Sequence, residues 1–267
     1  MKIQINDISL AYSDEGQGPP VVFLHAFPLN RTMWVPQVAG LSDRYRVVTI
    51  DLRGHGESDA PMWRYTLDRF AEDVHGLLAH LGIARATFVG LSMGGYILFA
   101  LYRKHPALFQ ALVLADTRTT ADTPEAKAAR FSMAQIAYRR GVSAIADLML
   151  PKLLSPASWE HRADLRDHLR AIITGNQVSG IVGDLMAMEE RPDSTPLLST
   201  ISVPTLVIVG EEDLASPPEE VESMAKQVPG STFVRIPRAG HLSNLENPGA
   251  FNAALLTFLT SLENSGL

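Results

Sequence analysis

Short, nearly uninterrupted apolar runs recur along the chain at residues 21–24, 45–50, 87–89, 112–115, 205–209 and 232–236. Runs of this length predict strands buried on both faces. Between them, residues 66–81, 92–105, 218–228 and 248–262 repeat apolar side chains every three or four positions, which predicts helices lying on those strands. The first dozen residues differ: Ile3, Ile5, Ile8 and Leu10 alternate with polar neighbours, as in a half-exposed edge strand or hairpin. Strands alternating with helices require crossovers between parallel neighbours. The pattern therefore predicts a three-layer α/β domain.

The alternation breaks once. Residues 118–196 hold no convincing buried strand, only helix-like stretches at 125–140, 143–150 and 159–173, punctuated by Pro151, Pro156, Pro192 and Pro196. Residues 1–117 and 196–267 are expected to form the α/β core, and residues 118–195 a helical insertion on it. At 267 residues the chain suits one large domain or two small ones.

Composition narrows the classes. With 46% hydrophobic and 19% charged residues, collagenous and disordered chains are excluded. A formal charge of −6 without a basic run makes a nucleic-acid or anionic-membrane binder a poor candidate. The absence of cysteine rules out disulfides, thiolate catalysis and Cys-ligated zinc. No apolar stretch has bilayer-spanning length, and the alternating N-terminus does not resemble a secretory leader, so a cytoplasmic protein is expected.

The sharpest local signal is Gly90-Leu91-Ser92-Met93-Gly94, between a predicted strand and a predicted helix. That is the context of a G-x-S-x-G nucleophile elbow. A very tight strand-to-helix turn strains the serine backbone, and neighbouring chains leave no room for a Cβ at Gly90 or Gly94. The serine hydroxyl then stands exposed at a helix N-terminus, where free N–H groups favour negative charge. A dinucleotide fingerprint would need glycine at position 92, and a phosphate loop would need a Lys-Ser/Thr pair that is missing.

A serine hydroxyl needs a base within hydrogen-bond reach, oriented by a third group. Of eight histidines, His241 alone sits in a glycine-bearing loop between the last strand and the last helix, at the same strand ends as Ser92. Two strand-end carboxylates could orient it: Asp213 after the penultimate strand and Asp116 one strand earlier. Asp213 fits the chain order serine, acid, histidine. Residues 51–59 crowd Asp51, His55, Glu57 and Asp59, yet no H-x-H-x-D-H or H-E-x-x-H pattern occurs. A turn held by Asp51 and Arg53 is expected there, and no metal or other cofactor.

Five segments together resemble the α/β-hydrolase superfamily over essentially the whole length: His25-Ala26-Phe27-Pro28, residues 51–58, the elbow around Ser92, residues 210–213, and Gly240-His241. Within it the chain is most similar to small serine esterases, lactonases (enol-lactonase-like members included) and cofactor-free haloperoxidases or perhydrolases. The resemblance implies a mostly parallel eight-stranded sheet flanked by helices, with residues 118–195 as a cap. It also implies an oxyanion hole from the backbone N–H groups of Phe27 and Met93, although the family usually carries glycine at the position of Ala26. Phe27, Tyr96, Met133 and Met186 are candidate substrate contacts, while Trp34 and Trp63 fit core or gate roles better.

The expected function is metal-independent hydrolysis of small carboxylic esters or lactones through Ser92, His241 and Asp213. Enol-lactone or acyl-homoserine lactone specialisation, peracid formation and carbon–carbon bond hydrolysis are the alternatives, and a ligand-binding member without turnover is the reading from another class. The expected partner is the small-molecule substrate, and the chain a monomer or homodimer.

Overall fold

The alternating N-terminal segment forms a hairpin of β1 (Lys2–Ile5) and β2 (Ile8–Glu15) in the computed structural model, which describes residues 1–62 and 64–266. Each predicted buried run is a strand: β3 (Pro20–Leu24), β4 (Arg46–Asp51), β5 (Ala86–Leu91), β6 (Phe109–Ala115), β7 (Thr205–Gly210) and β8 (Thr232–Ile236). They form one eight-stranded sheet in the order β1-β2-β4-β3-β5-β6-β7-β8. The β1–β2 and β2–β4 pairs are antiparallel and the others parallel. Chain order reverses around β3, which has β4 on one side and β5 on the other. A reversal of this kind opens a crevice beyond the carboxyl ends of the strands.

The helices that flank the sheet are α1 (Val35–Leu41), α2 (Leu67–His80), α3 (Met93–Lys104), α9 (Pro218–Lys226), α10 (Ser243–Glu246) and α11 (Pro248–Asn264). In α2, Thr66 caps the N-terminus by accepting from the Arg69 N–H, and Leu67, Phe70, Ala71, Val74, Leu77 and Leu78 form its buried stripe. Fully burying one such leucine or phenylalanine stabilises the fold by about 1.5–3 kcal/mol. Trp34, predicted as core or gate, is buried with its ring 4.9 Å from that of Phe23. Trp63 lies outside the described residues.

Five helices separate β6 from β7: α4 (Pro124–Arg140), α5 (Val142–Leu153), α6 (Pro156–His161), α7 (Ala163–Thr174) and α8 (Val178–Glu189). Apolar periodicity predicts α4, α5 and α7 but passes over α1, α6 and α8. Close contacts tie this insertion to the other strands and loops. A Cβ on Gly180 would lie 1.9 Å from the Gly54 carbonyl oxygen, so two backbones touch there. The Ser155 N–H donates to Glu246, whose other oxygen accepts from Gly240 N–H. His55 Nε2 lies 2.5 Å from Asp184 Oδ2, with both side chains fully buried. Burial pushes the Asp184 carboxyl up, against the pull of His55.

One expectation about residues 51–58 needs correcting. Asp51 does hold that turn, accepting from the Glu57 and Arg31 N–H groups and from the Arg31 guanidinium. Arg53 does not pair with it. Its guanidinium turns away to Asp73 on α2, at 2.8 and 2.9 Å, and to Asp7 in the β1–β2 turn at 2.7 Å. Among the described residues, no helix is long and apolar enough to cross a membrane.

Candidate active site

Ser92 stands between β5 and α3 with φ +53° and ψ −111°, a strained conformation for a non-glycine residue. Its neighbours explain how the turn closes. A Cβ on Gly94 would lie 2.3 Å from the Leu24 carbonyl oxygen, and one on Gly90 would lie 2.6 Å from the Gly94 carbonyl carbon. The turn is pinned by Ser92 N–H to the Ala115 carbonyl (2.9 Å) and by the Thr117 hydroxyl to the Ser92 carbonyl (2.8 Å).

His241 Nε2 lies 2.8 Å from Ser92 Oγ, and His241 Nδ1 lies 2.8 Å from Asp213 Oδ2. The second oxygen of Asp213 accepts from the Ala215 and Ser216 N–H groups at 2.7 and 2.9 Å. That carboxylate is therefore fixed as an acceptor, so Nδ1 carries the imidazole proton and Nε2 is left to accept from the serine. The loops bearing acid and base meet because position 210 is glycine: a Cβ there would lie 2.1 Å from the Gly240 carbonyl oxygen. Burial disfavours charge on His241. The Asp213 charge and hydrogen bond outweigh that, and its pKa is raised above the ordinary imidazole value.

Asp116, the other candidate acid, is engaged elsewhere. Its Oδ1 accepts from the Gly210 N–H at 2.8 Å, and its Oδ2 lies 2.5 Å from the Ser243 hydroxyl. Burial, reinforced by the Asp213 charge, pushes its carboxyl well above the usual range and so favours the neutral form.

The N–H groups of Met93, first residue of α3, and of Phe27 have no acceptor within the protein among the described residues. Ala26 takes the place of the usual glycine without strain, because positive φ outside glycine occurs only at Asn6, Ser92, Asp116 and Arg238 among the described residues. His25 fixes the peptide between Ala26 and Phe27. Its Nε2 accepts from the Leu52 N–H at 3.0 Å, leaving Nδ1–H to donate to the Ala26 carbonyl at 3.0 Å.

The substrate-contact candidates separate. Phe27 is buried beside Ser92's strand ends, and Tyr96, one helical turn beyond Ser92, is buried under the Arg191 guanidinium, 4.5 Å over its ring. Met133 packs on the core from α4. Met186 is 37% exposed and lines an outer apolar groove of about 850 Å³ with Met62, Tyr138 and Val182. Neither Ser92 nor His241 lines that groove. Sequence reasoning missed Asn176, Asp184 and Arg191, which carry no motif.

Glu72, His75 and His105 bring three possible metal-ligand atoms within 4.8 Å of one another at the α2–α3 surface. The Lys104 ammonium already sits 3.0 Å from the Glu72 carboxylate, where it repels a second cation. That cluster is satisfied as an ion pair.

A family model described as alpha/beta hydrolase fold matches residues 19–248. The chain belongs to the α/β-hydrolase family. Among solved α/β-hydrolase structures, an esterase from Thermogutta terrifontis is 41% identical, with a TM-score of 0.95 over 98% of each chain. The enol-lactonase from Burkholderia xenovorans LB400 is 33% identical, with a TM-score of 0.91 over 97% of this chain and 100% of its own. A curated relative, 3-oxoadipate enol-lactonase 2 of Acinetobacter baylyi, is 32% identical over 251 residues, 93% of this chain and 92% of its own.

Proposed function

We propose that this α/β-hydrolase is a carboxylic ester hydrolase that cleaves small esters or lactones through an acyl-serine. The observation that carries the reading is the unbroken chain of 2.8 Å contacts from Ser92 Oγ through His241 to Asp213. The similarity to an esterase and to two enol-lactonases supports ester and lactone carbonyls as the target.

His241 Nε2 takes the Ser92 proton as Oγ attacks the acyl carbon, and the carbonyl electrons move onto oxygen. The N–H groups of Phe27 and Met93 hold that oxyanion, and one such donor lowers the barrier by about 3–4 kcal/mol. When the carbonyl re-forms, the C–O bond breaks and protonated His241 gives its proton to the leaving alkoxide. In a lactone the alkoxide stays tethered to the acyl group. Water, deprotonated by the same imidazole, then attacks the acyl-enzyme and releases the acid and the serine. Asp213 keeps the proton of neutral His241 on Nδ1 throughout. Helices α4–α8 act as the cap over the strand ends, with Phe27 and Tyr96 as pocket walls.

The test is hydrolysis of a panel of chain-graded esters, simple lactones, enol-lactones and acyl-homoserine lactones by the wild type and by Ser92→Ala. Turnover is expected on at least one class in the wild type and none above background in the variant. A Ser92→Ala variant that keeps most activity would end the proposal.

A further inference from the structure

The insertion reaches into the loop that carries one of the two oxyanion donors, and it does so through one side chain. Asn176 lies in the short turn between α7 and α8, buried, with its own N–H tied to the Ile173 carbonyl at 3.1 Å. Its amide nitrogen donates to the Pro28 carbonyl at 2.8 Å and reaches the Leu29 carbonyl at 3.4 Å. Its amide oxygen accepts from the Gly56 N–H at 2.8 Å. One carboxamide thus ties the loop after β3 to the loop after β4.

The tie lies one residue from Phe27. On the other side of that residue, His25 and the Leu29 N–H both donate to the Ala26 carbonyl, at 3.0 and 2.8 Å. The Ala26–Phe27 peptide is therefore braced by core residues on its upstream side, and the Pro28 carbonyl that follows it is held by the insertion. Stabilising an oxyanion depends on where the donor points before the reaction, since a donor that must reorient gives much of its advantage back. Without Asn176 the Pro28 carbonyl loses its donor, and the nearest remaining downstream ties are the Leu29 N–H to Ala26 and the Arg31 N–H to Asp51.

We infer that Asn176 is a positioning residue for catalysis: the insertion sets the aim of the Phe27 N–H through the Asn176–Pro28 hydrogen bond. This rests on the oxyanion role given to Phe27 in the proposed function. It makes the insertion part of the catalytic frame as well as a cover.

The experiment compares wild type, Asn176→Ala, Asn176→Asp and Ser92→Ala on one ester, together with inhibition by a trifluoromethyl ketone of similar shape. The ketone forms a tetrahedral oxyanion adduct, and its inhibition constant does not depend on how much of the sample is folded. Asn176→Asp retains the acceptor for Gly56 and replaces the donor to Pro28 and Leu29 by a carboxylate oxygen that cannot donate. Both Asn176 variants should lower kcat/KM about tenfold and weaken the ketone in the same proportion, with KM within about twofold. Losing a whole oxyanion donor would lower kcat by about 10²–10³-fold, so a mis-aimed one falls short of that. Unchanged ketone inhibition in both variants overturns the inference, whatever happens to melting temperature. If Ser92→Ala hydrolyses the ester as the wild type does, the proposed function itself fails, a result separable from the first.

Discussion

Replacing Asp213 by asparagine tests the orienting role with almost no change of shape. The new side chain still accepts from the Ala215 and Ser216 N–H groups, which now hold Asp213 at 2.7 and 2.9 Å. Its amide nitrogen then faces His241 Nδ1 at the present 2.8 Å contact. A donor there forces the imidazole proton onto Nε2, where it confronts the Ser92 hydroxyl and leaves no base. A wrong tautomer of this kind lowers kcat by about 10⁴-fold, or roughly 5.5 kcal/mol of barrier. The pH profile should shift as well. Neutral His241 is the active form, so wild-type kcat/KM is lost as pH falls through a pKa raised above the ordinary imidazole value. With the Asp213 charge gone, its upward pull on His241 is lost, burial is the largest remaining influence, and the residual acid limb moves to lower pH. Asp116→Asn is the control. Asparagine mimics a neutral acid, can still accept from Gly210 N–H and can donate to Ser243, so kcat should stay within a few-fold of wild type. Stopped-flow or steady-state hydrolysis of a chromogenic ester between pH 5 and pH 9 reads both effects. Equal losses in the two variants, or an Asp213→Asn enzyme within tenfold of wild type, would refute the reasoning.

Three further outcomes follow from the same contacts. Dialysis against EDTA should leave kcat unchanged, because the proton relay uses no ion; loss of activity restored by added zinc would contradict this. Gly180→Ala puts a methyl group 1.9 Å from the Gly54 carbonyl oxygen and should destabilise the fold by about 3 kcal/mol in urea denaturation. A midpoint equal to wild type would show that the insertion does not press on the core there. Asp73→Ala strips the buried Arg53 guanidinium of one of its two carboxylates and should lower stability by about 3 kcal/mol. An unchanged urea midpoint would mean that Asp7 alone satisfies Arg53.

Much of the framework is legible in the residue order because the core strands are buried on both faces. Val21 to Leu24 and Leu206 to Val209 are apolar throughout, and no other element tolerates such runs so briefly. That Ser92, Asp213 and His241 come within hydrogen-bond reach of one another is legible because each is bound to a backbone requirement: glycines where chains touch, and loops at strand ends. The insertion was harder to read. In α4 only Ala137 is fully buried, while Phe131 and Tyr138 face outward, so apolar spacing there does not mark a packed face. Helix α8 is apolar nearly all round, with Gly180 and Gly183 packed against Gly54 and Tyr65, a pattern without a periodic stripe. Asn176 and Asp184 could not be found from spacing, since each acts through a partner more than 100 positions away, Gly56 for one and His55 for the other. Arg53 was legible as a charge in a turn, but the identity of its partner depends on how α2 crosses the hairpin.

The proposed mechanism turns on Ser92 acting as a nucleophile activated by His241. Treatment with a fluorophosphonate, followed by intact-mass analysis and peptide mapping, addresses it directly. One adduct per chain is expected, on Ser92, formed rapidly by the wild type and at background rate by His241→Ala. An unlabelled wild-type protein, or an adduct on another side chain, would contradict it.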